Sequence, residues 1–65
     1  MNVYDVIYYL DGKEYARVKN IKGWTRHDAY VESMSSDAYA RVMGTRHDRK
    51  FTWDTVDYNN QIERL

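Results

Sequence analysis

The sequence contains no cysteine and no proline, and only three of its 65 residues are glycine. Without cysteine the chain can form neither a disulfide nor a thiolate metal site, and this composition fits a reducing cytosol. No apolar run approaches the roughly 18 residues of a membrane span. Residues 1–5 show no basic region followed by an apolar run, so we expect no signal peptide and a cytoplasmic location.

The chain also lacks an excess of charge of either sign, since ten basic residues match ten acidic residues. No global field therefore attracts nucleic acid or an anionic membrane. A chain of this length makes one domain, which we assign to residues 1–65, and it buries only about 60% of its unfolded surface. Because such a small core often depends on a staple or a partner, self-association as a homodimer is an expected source of stability.

Residues 2–21 predict a β-hairpin. Two segments, 2–10 and 13–21, are rich in β-branched and aromatic residues, which suit a pleated strand. Asp11-Gly12 lies between them, and this dipeptide is the strongest short signal for a hairpin turn. We favour a three-residue loop with a bulge at Gly12 in the left-handed conformation, because it brings small apolar residues together. A strict two-residue turn is the alternative, and it changes which side chains share a face.

The favoured turn divides the hairpin into two faces. One face carries Tyr4, Val6 and Tyr8 with Glu14, Ala16 and Val18. The other face carries Val3, Asp5, Ile7 and Tyr9 with Lys13, Tyr15, Arg17 and Lys19. On this second face we expect Asp5 to pair with Arg17 across the two strands. A two-residue turn would instead place Lys13, Tyr15, Arg17 and Lys19 beside Tyr8.

Residues 26–43 predict one amphipathic helix. Thr25 is placed as its N-cap, and Asp28 complements the free N–H groups and the helix dipole. Apolar residues at spacings of three and four form a single stripe of Val31, Met34, Ala38 and Val42. Gly44 is a natural residue to end this helix. A second cap within Ser35-Ser36-Asp37 would divide it into two short helices instead.

A third strand is predicted at about 50–58, and a short tail at 59–65 has no assigned structure. The order strand, strand, helix, strand defines the expected fold class as α+β with ββαβ topology. We expect a three-stranded antiparallel or mixed sheet with one helix, continuous or kinked, packed on one face. The third strand is expected beside the first.

Two His-Asp pairs, His27-Asp28 and His47-Asp48, are the only hints of chemistry in the chain. A metal site needs three or four converging ligands. The two pairs lie at opposite ends of the predicted helix, roughly 25–30 Å apart at a rise of about 1.5 Å per residue. The three glycines each belong to a turn or an element end, so none forms a phosphate loop. We therefore assign no catalytic residue, no metal and no cofactor, and predict that the chain is not an enzyme.

Aromatic side chains are abundant, with seven tyrosines, two tryptophans and one phenylalanine. With one helix covering one face of the sheet, the other face would expose rings, and contiguous apolar patches usually mark an interaction surface. The predicted binding residues on this face are Ile7, Tyr9, Tyr15, Arg17 and Lys19. Trp24 and Trp53 are predicted to pack in the core instead, because each flanks or lies within a core element.

This layout of hairpin, capped helix and final strand, without cysteine or proline, resembles the small accessory proteins encoded by bacteriophages. The resemblance lies in size, layout and composition, so it assigns no role to any residue. It implies a protein that binds a bacterial host enzyme or defence complex and blocks it in the host cytoplasm. The predicted function is a small protein-binding module acting through the aromatic sheet face, with a host factor or a second copy as its partner.

The alternative function is single-stranded nucleic-acid binding by tyrosine, arginine and lysine residues of the same face. Between Lys13 and Arg26 the chain has five basic residues and one acidic residue. Cations interleaved with aromatic rings suit phosphates and bases. The neutral total charge makes nucleic acid the weaker interpretation, and no membrane partner is expected.

Overall fold

The structure, a computed structural model, describes residues 1–58, and the tail predicted at 59–65 lies outside the described residues. The elements are β1 (Asn2–Leu10), β2 (Lys13–Gly23), α1 (Arg26–Ser33), α2 (Asp37–Thr45) and β3 (Phe51–Asp57). The fold class is α+β, as predicted, but two helices stand where one was expected. Neither helix of the described range has the length and apolar character needed to cross a membrane.

The three strands form one antiparallel sheet in the order β2-β1-β3. The third strand therefore lies beside the first. Because β1 pairs with β2 on one side and with β3 on the other, it is the central strand. Side chains from Tyr4 to Tyr8 are all buried, including Asp5 and Ile7, which alternate with the residues that face the helices. The central position of β1 explains why its second face is also withdrawn from water.

The hairpin turn has two residues and is not the three-residue loop that we favoured. Leu10 pairs directly with Lys13, and both turn residues have positive φ, 52° at Asp11 and 80° at Gly12. Positive φ at both positions is typical of the turn type whose twist matches two antiparallel strands. The tip is tied to the start of β3, since the Asp11 N–H donates to the Lys50 carbonyl at 2.9 Å. The Lys50 N–H in turn donates to Asp11 Oδ1 at 3.1 Å.

A bulge early in β2 redirects Tyr15. Tyr9 pairs with Glu14 and Tyr8 pairs with Ala16, so Tyr15 is an extra residue between two successive pairs. The bulge places Ala16 opposite Tyr8, on the face expected from the sequence. The expected three-residue loop is absent, and the bulge supplies the extra residue instead. Glu14 was expected on that same face, and the structure instead places it opposite Tyr9.

A second irregularity in β2 lies nearer its end. Val6 pairs with Val18 and Tyr4 pairs with Ile21, so β2 again has one more residue than β1 between the two pairs. Asn20 lies in this bulge with φ 60°. Asparagine tolerates the left-handed conformation better than most residues. The bulge keeps both apolar pairs on the face that the helices cover.

The helical region is divided at residues 34–36, so the prediction of a single helix over 26–43 is wrong. Ser36 has extended backbone, and its hydroxyl accepts from the Tyr39 N–H at 3.1 Å. The same hydroxyl donates to the Ser33 carbonyl at 2.6 Å. A serine that satisfies a free N–H group in this way favours a new helix start over continuation. Gly44 lies inside α2, which continues to Thr45, and so does not end the helix as predicted.

The buried side of α1 consists of small residues. Ala29 is 0% exposed and Ser33 is 1% exposed, and their spacing of four places both on one side of the helix. Val31 and Met34, which the apolar stripe predicted to be buried, are instead 50% and 43% exposed. The stripe fails in α1 because its small residues Ala29 and Ser33 face the sheet, which places Val31 on the outer side, whereas Val42 in α2 is fully buried.

Tyr8 lies at the centre of the core and is fully buried. Its hydroxyl donates to the carbonyl of Ser33 at 3.1 Å and also bonds the Ser33 hydroxyl. Its ring lies 5.8 Å, centroid to centroid, from both Tyr39 and Phe51. The buried cluster around it contains Tyr4, Val6, Leu10, Ile21, Ala29 and Val42. Tyr4 and Tyr8, which the sequence places on one face of the hairpin, therefore both lie in the core.

Candidate interaction surface

The residues predicted to bind a partner do not form one exposed surface. Ile7 is only 5% exposed because β1 is central, so the expectation that it faces solvent is wrong. Tyr9 is half-buried, and Lys19 is exposed. The Tyr15 hydroxyl lies 3.3 Å from Thr45 Oγ1 at the end of α2. The bulge therefore turns Tyr15 towards the helix side of the sheet, away from Tyr9.

Arg17, the fifth predicted residue, is held by a buried carboxylate. Asp5 is 0% exposed, and its Oδ2 lies 3.3 Å from Arg17 Nη1, which confirms the predicted cross-strand pair. Asp5 also accepts from the Asn20 N–H at 3.2 Å and from the Tyr58 hydroxyl. Arg17 further contacts Glu14 at 3.6 Å. A buried carboxylate needs such donors, so the charge of Arg17 is committed within the molecule.

Two tyrosines have raised pKa values. The hydrogen bond to Asp5 raises the pKa of Tyr58 above its ordinary value of 10.0, and burial adds to the rise. Burial raises the pKa of Tyr30, and the neighbouring Tyr39 adds to that rise. Each hydroxyl therefore stays protonated near neutral pH, as a structural hydrogen-bonding group does. A tyrosine that acts as a base needs a shift in the opposite direction.

Trp24 is 70% exposed, so the prediction that it packs in the core is wrong. Met1 and Val31, which are 66% and 50% exposed, lie beside it. The three side chains share a groove of about 280 Å³ at the end of the sheet. The groove is lined by Met1, Lys22, Gly23, Trp24, Asp28, Val31 and Glu32. We call this surface the Trp24 groove.

The local sequence explains why Trp24 stays on the surface. Thr25 Oγ1 accepts from the Asp28 N–H at 3.2 Å and caps α1, as predicted. Trp24 therefore occupies the position before the N-cap, where an apolar residue often packs against the fourth helical residue. That residue is Ala29, which is too small to cover an indole ring. A Cβ on Gly23 would lie 3.0 Å from Ala29 N, so α1 starts in close contact with β2 and leaves no room for an indole ring between them.

The exposure of Trp24 could have been predicted from the residues around the start of α1. Trp24 immediately precedes a helix cap whose fourth helical position holds alanine, so it has no large partner within the helix. The small residues Ala29 and Ser33 also mark the side of α1 that approaches the sheet closely. With that side assigned, Val31 falls on the outer side of the helix, next to Trp24.

Trp53 behaves differently from Trp24. Its ring stacks on Tyr30 with centroids 4.2 Å apart and planes inclined by 11°. The guanidinium carbon of Arg26 lies 4.6 Å from the Trp53 centroid, and Arg26 Nη2 lies 3.2 Å from Asp54 Oδ1. Trp53 is half-buried and packs against the core cluster, as predicted. The Trp53 ring is therefore covered by neighbouring side chains, whereas the Trp24 ring is exposed to solvent.

The walls of the Trp24 groove carry charges of both signs. Asp28 and Glu32 lie one helical turn apart on α1, and Lys22 lies on β2. Among residues 1–58, none of these three side chains takes part in an ion pair. The groove thus combines exposed apolar side chains with one basic wall, at Lys22, and one acidic wall, at Asp28 and Glu32.

A second pocket, of about 350 Å³, lies at the hairpin tip. Its lining residues are Leu10, Asp11, Lys13, Glu14, Tyr15 and Arg49. Asp11 is bonded to the backbone of Lys50, Tyr15 to Thr45 and Glu14 to Arg17. The Asp11 bonds join the hairpin tip to the segment before β3, and the Tyr15 contact joins β2 to the end of α2, so the polar groups of this pocket serve as a structural junction.

The two His-Asp pairs lie at separate helix ends. His27 follows the cap of α1, and His47 follows the end of α2 with φ 43°. Both histidines are exposed. In the described part of the chain, no group of three histidine or carboxylate side chains lies close enough together to hold a metal ion.

Comparison with known proteins finds no matching family model, no matching curated protein and no matching solved structure.

Proposed function

We propose that the protein is a non-enzymatic protein-binding module whose contact surface is the Trp24 groove. The observation that carries this proposal is the 70% exposure of Trp24 beside the exposed Met1 and Val31. Isolated exposed apolar residues are common, but a contiguous patch is typical of an interaction site. Tryptophan is also the residue type that most often contributes a large share of binding energy at protein interfaces.

The proposal moves the contact surface away from the predicted sheet face. On that face, Ile7 is buried and Arg17 is paired with Asp5, which leaves Tyr9 and Lys19 without an apolar neighbourhood of comparable exposure. The Trp24 groove instead offers apolar side chains around a concave surface. Concave apolar surfaces bordered by polar groups are the usual form of a binding site.

Single-stranded nucleic acid is less well supported as the ligand. Stacking of successive bases needs neighbouring rings beside unpaired cations. Tyr15 and Trp24 stand at opposite ends of β2, roughly 30 Å apart at about 3.3 Å per residue. Arg17, which lies between them, is held by Asp5. The predictions of a phage origin and of a host enzyme or defence complex as partner stay predictions.

Affinity capture from a bacterial lysate, quantified by mass spectrometry, tests the proposal. The immobilised baits are the wild-type chain, Trp24→Ala and the control Tyr9→Ala, which removes an aromatic ring from the original surface. We expect the wild type and Tyr9→Ala to bind a protein partner, either a lysate protein or free copies of the chain added to the lysate, and Trp24→Ala to lose it. Raising the salt from about 50 to 200 mM should change this binding little, because phosphate contacts would lose affinity steeply over that range.

Two results would contradict the proposal. The first is a Trp24→Ala bait that self-associates and captures proteins as the wild type does. The second is steeply salt-dependent binding of single-stranded DNA that Tyr9→Ala abolishes and Trp24→Ala leaves intact, which would restore the nucleic-acid interpretation.

A further inference from the structure

We infer that the Trp24 groove binds a second copy of this chain, with the two copies related by a two-fold axis. The inference rests on the proposed function and names the partner of the same surface. In a two-fold interface each patch contacts the same patch on the other copy, so the surface must be complementary to itself. Both the charges and the apolar side chains of the Trp24 groove meet this requirement.

The charges of the groove are reciprocal. The basic wall carries Lys22, and the acidic wall carries Asp28 and Glu32. None of the three has an ion-pair partner within residues 1–58. A two-fold axis through the groove places Lys22 of one copy against the acidic wall of the other, and the same contact is formed a second time. A partner of uniform charge would match only one wall and meet repulsion from the other.

The apolar side chains are also suited to self-association. Trp24 projects from the rim of the groove, and Met1 and Val31 form the exposed apolar surface next to it. Across a two-fold axis, Trp24 of each copy covers Met1 and Val31 of the other. Met34, the C-cap residue of α1, is also 43% exposed.

The overall charge permits close approach of two copies. The formal net charge is zero, so no long-range repulsion separates identical chains. The patch is small, and interfaces below about 1,200 Å² of total buried area belong to the weak class. We therefore expect reversible dimerisation, with a dissociation constant in the micromolar range.

Sedimentation velocity over a wide range of protein concentration measures this equilibrium. We expect the wild type to shift from monomer to dimer, and Trp24→Ala to weaken the dimer by at least about tenfold, as truncation of a central interface residue does. Tyr15→Ala is the matched control, because Tyr15 is an exposed ring at the other end of β2. It should dimerise as the wild type does.

Charge reversal tests the two-fold arrangement directly. Lys22→Glu and Glu32→Lys should each weaken self-association, because each places like charges across the axis. An equimolar mixture of the two variants should form a heterodimer more readily than either variant forms a homodimer. Lys19→Glu is the control, since it makes the same charge change on β2 outside the groove. All of these residues are exposed, and circular dichroism verifies that each variant is folded.

The inference is overturned if the wild type stays monomeric throughout, or if the two charge variants associate no better in a mixture than alone. These outcomes are distinguishable from failure of the proposed function. A monomeric wild type whose lysate partner is lost on Trp24→Ala contradicts only the homodimer. A Trp24→Ala variant that dimerises and captures proteins as the wild type does contradicts both.

Discussion

The buried carboxylate of Asp5 leads to a quantitative stability prediction. Asp5→Asn keeps the shape of the side chain and removes its charge. The amide oxygen can still accept from the Asn20 N–H, but the amide nitrogen then faces the Arg17 donor, and the Tyr58 hydroxyl can no longer donate to it. Each hydrogen bond to a charged group contributes about 1.5–3 kcal/mol. Arg17 is about one-third exposed and can turn to Glu14, so we expect a net loss of about 2–4 kcal/mol.

That loss is large for a chain of this size, whose free energy of unfolding is expected to be about 3–10 kcal/mol. Urea denaturation followed by far-ultraviolet circular dichroism measures it. Asp54→Asn is the matched control, because Asp54 also pairs with an arginine at 3.2 Å but its side chain is 63% exposed. An exposed pair contributes only about 0–1 kcal/mol. If Asp5→Asn costs no more than Asp54→Asn, the buried carboxylate does not stabilise the fold as argued.

Other variants examine single features of the fold by the same denaturation assay. Tyr8→Phe removes only the buried hydroxyl that bonds α1 and should cost about 1 kcal/mol, whereas Tyr8→Ala should cost about 3–5 kcal/mol. Gly44→Ala should stabilise α2 by about 0.5–1 kcal/mol, because an added Cβ has no neighbour within 4 Å. Gly12→Ala, at φ 80°, should instead cost about 1–2 kcal/mol. Ser36→Ala removes the N-cap of α2 and should cost about 1 kcal/mol. Because the pKa of Tyr58 is raised in the fold, its hydroxyl bond to the carboxylate stabilises the protein below pH 10.0 and is lost as the pH rises through the folded pKa. In a series of denaturation curves at increasing alkaline pH, Tyr58→Phe should therefore lose less stability than the wild type; an equal loss would contradict this assignment.

Local signals predicted much of the fold. Asp11-Gly12 between two β-rich segments indicated the hairpin, and Thr25 with Asp28 indicated the start of α1. Each of these features depends on residues a few positions apart, whose backbone preferences act before any tertiary contact forms. The pair between Asp5 and Arg17 was also predicted, because alternation along two paired strands places both on one face.

The helix break shows where a periodic pattern misleads. The spacing of Val31, Met34 and Val42 suits one continuous helix, yet Ser36 caps a second helix within it. Both interpretations were available from the sequence. The choice between them depends on the orientation of α1. That orientation is fixed by the close approach of Ala29 and Ser33 to the sheet, which is a tertiary contact.

The sequence by itself determined the hairpin and the α+β class, because these follow from local propensity and alternation. Only the tertiary structure decided which aromatic residues remain exposed. A two-residue turn followed by a bulge sends Tyr15 to the helix side, and the central position of β1 buries Ile7. The close contact between Gly23 and α1 leaves Trp24 in water. Exposure of a side chain depends on what the rest of the chain packs against it, and no local sequence window contains that information.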